Sequence, residues 1–74
     1  MPIGAVFRRI GPGQAREMAQ VLSVAEDNAG IPHVRYRLRV ERPDRDPVAP
    51  EDRTLSLGAF VERYPERVGV TSAA

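Results

Sequence analysis

From Pro32 to Val40 the chain alternates without a slip. Val34, Tyr36, Leu38 and Val40 share one parity; His33, Arg35, Arg37 and Arg39 share the other. Successive side chains of a β-strand point to opposite faces, so this period of two predicts a strand over residues 31–41. One face is apolar and the other wholly polar, the pattern of an antiparallel strand with one buried side and one wet side. Pro32 suits the first residue of a strand or an edge position, where no ladder donor is needed.

The flanking pattern is less regular. Met18, Val21, Leu22 and Ala25 fit a helical period, while Met18, Gln20, Leu22 and Val24 fit a strand. The turn cluster "EDNAG" at 26–30 leads directly into the clear strand, and two β-runs joined by a few turn residues make a hairpin. That favours a strand over 17–26, with a bulge near Val21–Leu22 where the parity slips. Residues 3–10 form a short apolar, β-leaning run, and "GPG" at 11–13 is a turn. Residues 42–53 crowd prolines and charges together and read as a long loop. Residues 54–57 alternate again. Leu57, Phe60, Val61 and Tyr64 then recur at helical spacing, which predicts a short helix over 58–64. Ser56 is its candidate N-cap and Pro65 its stop. Residues 66–70 fit a last strand, and 71–74 a frayed tail.

This order predicts a mainly β fold of four to five antiparallel strands with one short helix near the C-terminus, in a single domain over residues 1–70. The expected core is Phe7, Leu22, Val24, Val34, Tyr36, Leu38, Val40, Leu55, Leu57, Phe60, Val61 and Tyr64. The hairpin "VLSVAEDNAGIPHVRYRLRVE" and the closing "RTLSLGAFVERY" resemble the layout of an SH3-like small, partly open barrel, and of short uncharacterised bacterial domains built the same way. The resemblance is architectural. It implies a barrel that binds something, and it transfers no catalytic residue, because a fold does not fix a function.

Composition narrows the chemistry. A chain of 74 residues without cysteine has no disulfide staple, and one histidine cannot complete a Cys/His zinc site. No apolar run approaches the roughly 20 residues of a membrane span. The arginines at 8 and 9 follow the N-terminal apolar patch, whereas a secretory signal places them before it. The expectation is therefore a cytoplasmic protein without membrane attachment. The net charge is +1, and all eleven basic residues are arginine. Residues 1–42 carry +3 and residues 43–74 carry −2, far from the strongly basic signature of a dedicated nucleic-acid binder.

Catalytic sets are missing from the pattern. His33 is the only imidazole and has no nucleophile placed beside it. No phosphate-binding glycine loop or H-E-x-x-H occurs. Asp44 and Asp46 match the first and third positions of a calcium loop, but Ala49 and Leu55 stand where glycine and glutamate are required. The chain thus reads as non-enzymatic, with no cofactor, no metal site and no small-molecule substrate indicated.

The polar face of the central strand is the candidate site. His33, Arg35, Arg37 and Arg39 form a stripe, with Arg8 and Arg9 as adjacent candidates. Alternate residues of a strand lie about 6.5–7 Å apart, and the guanidinium fork suits carboxylates and phosphates alike. Glu41 on the same face, with Glu17 and Glu26 on the neighbouring strand, would neutralise part of it. A protein partner or self-association is the leading reading, since arginine is enriched at interfaces. RNA or DNA is the alternative. It lacks exposed aromatic platforms for base stacking, because Tyr36, Phe60 and Tyr64 all point inward by period.

Overall fold

The alternation of the central strand is carried through to its burial. In the computed structural model, which describes residues 1–46 and 48–70, Val34, Tyr36 and Leu38 are buried and Arg35 and Arg39 are exposed. This strand, β3 (Pro32–Glu41), pairs antiparallel with β2 (Arg16–Glu26) on one side and with β4 (Glu51–Ser56) on the other. On the far side of β2 lies β1 (Ala5–Ile10), and β5 (Glu66–Val70) returns to pair antiparallel with β1. The sheet order is β4-β3-β2-β1-β5. The fold is mainly β, five antiparallel strands in one open sheet with one short helix near the C-terminus.

That helix, α1 (Leu57–Arg63), covers the inner face of the sheet. The Ser56 hydroxyl accepts a hydrogen bond from the Ala59 amide at 3.3 Å, which satisfies one free donor of the first turn. The Tyr64 amide closes the last turn on the Phe60 carbonyl at 2.9 Å, and Pro65 follows. Phe60 and Tyr64 are fully buried against Ala5, Ala19, Val21, Val34, Tyr36 and Leu38, with Phe7, Val40, Leu55 and Leu57 packed around them. The four rings form one cluster. Phe7 meets Phe60 edge-on at 5.4 Å between centroids, Tyr36 meets Phe60 at 5.1 Å, and Tyr36 meets Tyr64 at 5.5 Å. These are the separations and angles that aromatic quadrupoles favour.

Four expectations need correction. The strand reading of residues 17–26 holds, and the register shifts between Val21 and Ser23, so Leu22 is the bulged residue. The inward residues before the bulge, however, are Glu17, Ala19 and Val21. Leu22, at the bulge, is only half-buried. Val24 lies past it toward the turn end of the hairpin and is 39% exposed. Val61 is 50% exposed: at about 100° per residue it falls on the margin of a stripe centred on Leu57, Phe60 and Tyr64. The long loop is also shorter than expected. Glu51, Asp52 and Arg53 already pair with Leu38, Arg37 and Tyr36, so β4 begins inside what reads as loop. The frayed tail expected at 71–74 lies outside the described residues.

Candidate functional site

The arginine stripe exists as a geometric row, and one carboxylate from within the chain meets part of its charge. Arg37 forks onto Asp52, with Nε at 2.9 Å from one carboxylate oxygen and an Nη at 3.3 Å from the other. Arg35 reaches the same carboxylate at 3.5 Å. The Arg37 hydrogen bond holds the Asp52 carboxyl below its ordinary range, with its charge and that of Arg35 adding. Two guanidiniums therefore share one acid. Arg35 stays 61% exposed along its side chain. Arg39 is exposed, has Met18 as its cross-strand neighbour, and has no carboxylate within ion-pair distance among the described residues. The acid that quenches the stripe comes from β4, where sequence reasoning saw a loop, and not from Glu17 or Glu26.

The outlying candidates separate. Arg8 lies on the outer face in one row with Met18 and Arg39. It forks onto Glu66 of β5, donating from Nε at 3.3 Å and from an Nη to the second oxygen. That contact raises the Arg8 guanidinium and lowers the Glu66 carboxyl. Arg9, one residue on, points to the opposite face, where it stands 3.6 Å from Glu17. Arg9 thus does not extend the stripe. At the Ile10 end of β1 the two arginines border a shallow hollow with Arg63, Glu62 and Glu66, and its charges nearly cancel.

His33 belongs to the hairpin turn. Its Nδ1 is 2.9 Å from the Ile31 carbonyl and 3.7 Å from Asp27 Oδ2. The other oxygen of Asp27 accepts from the amides of Ala29 at 2.8 Å and Ile31 at 2.9 Å. Those backbone donors, the Ile31 amide foremost, hold the Asp27 carboxyl below its ordinary range. Gly30 sits at φ 77°, a left-handed position that favours glycine. The histidine thus stands against this turn brace, at the turn end of the stripe.

The inner face carries a second arginine group that the sequence pattern does not reveal. Beside α1 opens a cleft of about 610 Å³. Arg42 and Arg45 reach it from the segment after β3, Arg53 from β4 and Arg63 from the last turn of α1. Glu17 lies at the cleft with its side chain 11% exposed, between Arg9 at 3.6 Å and Arg63 at 4.0 Å. A Cβ at Gly11 would collide with the Glu17 carboxylate, so the turn after β1 is closed around this acid. Arg53 donates to Glu51 at 3.0 Å. Arg42 and Arg45 have no ion-pair partner among the described residues. Behind this charge Tyr36 is buried. Burial pushes its phenol up to about 12, and the adjacent Tyr64 hydroxyl adds to the shift. The Tyr64 hydroxyl is itself buried and has no well-formed hydrogen bond.

Four scattered arginines in a proline-rich loop, an edge strand and a helix end share no sequence period. Only the pairing of β3 with β4 and the docking of α1 bring them together. No helix among the described residues is long and apolar enough to cross a membrane. No protein-family model, no curated protein and no solved structure matches the chain.

Proposed function

We propose that the chain is a non-enzymatic protein-interaction module of the cytoplasm, which presents the outer face of β3 to an acidic segment of a partner protein. The observation that carries this reading is the bare face itself. Arg35 and Arg39 stand exposed on a sheet surface that α1 leaves uncovered, and their charge exceeds what Asp52 offsets. Exposed arginines at the centre of such a face are the residues that anchor interfaces. The return of β5 to β1 supports reading the sheet as an SH3-like small barrel, a single domain over residues 1–70.

The aromatic cluster favours a protein over a nucleic acid. Single-strand binders stack bases on exposed rings. Here Phe7, Tyr36, Phe60 and Tyr64 are all spent on one another.

Affinity capture with the native protein and with the triple variant Arg35→Ser, Arg37→Ser, Arg39→Ser tests the reading. Partners retained by the native protein, a second copy of the chain included, are expected to be lost from the variant. Recovery of the same partners with both would reduce the stripe to a solvated face. In parallel, RNA and single- and double-stranded DNA are titrated at two salt concentrations. Tight binding that weakens steeply with salt would replace the protein reading by the nucleic-acid one.

A further inference from the structure

We propose that the inner-face cleft between the turn after β1 and the end of α1 is a second binding site, for a carboxylate-bearing peptide segment with an apolar side chain beside the acid. The site is separate from the arginine stripe. The alternation of β3 sends Leu38 and Val40 into the cleft and Arg35 and Arg39 to the other face, so a ligand in one place cannot touch the other.

Charge defines the first half of the ligand. Arg42, Arg45, Arg53 and Arg63 line a cleft to which Glu17 contributes the one acidic side chain. The chain as a whole carries only +1, so positive charge is concentrated here well beyond the average of the surface. Glu17 is occupied by Arg9 and Arg63, and Glu51 by Arg53. Arg42 and Arg45 are exposed guanidiniums without an acid among the described residues. Planar guanidiniums from separate chain segments converge well on a planar carboxylate, which can accept from two of them at once.

Shape and polarity define the second half. Leu38, Val40 and Ala15 give the cleft an apolar wall. A volume of about 610 Å³ lies within the range of natural ligand pockets. A free inorganic anion would leave the apolar wall unused. An acidic residue next to a leucine or valine in an extended peptide uses both.

The test is a fluorescence-anisotropy titration with a labelled peptide of alternating leucine and aspartate, and with the same peptide carrying asparagine for aspartate. It is followed by nitrogen-15 NMR on the unlabelled pair. Saturable binding of the acidic peptide is expected, weaker by roughly tenfold or more for the asparagine peptide. Gly13, Ala15, Leu38 and Val40 amides should shift. The double variant Arg42→Ser, Arg45→Ser lies outside the core, so circular dichroism should match the native protein while affinity drops by about tenfold or more. The pair Arg35→Ser, Arg39→Ser should keep the peptide-induced shifts of the cleft amides Gly13 and Ala15, whatever becomes of the outer-face reading. Absence of saturable binding, or equal loss in the two double variants, overturns the proposal. So does displacement of the peptide by an equimolar single-stranded oligonucleotide, which would assign the arginines to phosphate.

Discussion

Tyr64 is buried to 0% exposure, yet its hydroxyl has no well-formed hydrogen bond. A hydroxyl left unpaired inside a protein costs about 1–3 kcal/mol, whereas the ring carrying it stabilises by burial and edge contacts. Tyr64→Phe should therefore leave the melting temperature unchanged or raise it. The same variant isolates Tyr36 as the only phenol. Its folded value in the native protein, about 12, lies above the unfolded value near 10, and burial, the larger cause, persists in the variant while the smaller part from the Tyr64 hydroxyl is lost. A raised value favours the neutral form, so this contribution to stability is complete below pH about 10 and is lost as pH rises toward the folded value. Tyrosinate absorbance of Tyr64→Phe should appear well above pH about 10, together with loss of the circular-dichroism signal. A midpoint near 10 with the fold intact would mean that Tyr36 is solvated.

At the scale of elements, β3 was legible because every residue type agreed with its face. β2 was legible as a bulged strand, but its faces were not, and the reason is chemical. Its inward residues before the bulge are a glutamate, an alanine and a valine, while a methionine points outward. Hydropathy then marks the wrong parity, and only the cross-strand register restores it. Ala19 sits between Phe7 and Leu38 in one row, where a small side chain gives the rings room. Ala19→Leu should cost about 1–3 kcal/mol by overpacking. Gln20→Leu, one residue away on the open face, should stay within about 0.5 kcal/mol. Urea denaturation of the two variants checks the assignment, and the reverse order would invert the strand. The start of β4 was hidden for a related reason: Glu51, Asp52 and Arg53 are all charged, a composition typical of edge strands guarded against pairing with other chains. Reading them as loop concealed both the acid that meets the stripe and one arginine of the cleft.

Across the whole molecule, the sheet separates two arginine surfaces that the linear pattern merges into one. Arg8 and Arg9 make the point most simply. They are adjacent in sequence and fall on opposite faces, so each meets a different glutamate. A stripe at a period of two is visible from sequence because it needs one strand only. A cleft assembled from residues between 12 and 63 depends on two long-range pairings and a docked helix, and no local signal encodes it.

The position of β5 also bears on the order in which the fold assembles. The β2–β3 hairpin closes a short turn braced by Asp27, so its loop entropy is small and it can form early. Pairing β1 with β5 joins segments nearly the whole chain apart, Ala5 to Val70, and must wait for the elements between them. The last strand to join is then the first to leave. Native-state hydrogen exchange should find β5 amides opening at lower free energy than those of β2 and β3. Equal protection across all five strands would show a single cooperative unit with no such seam.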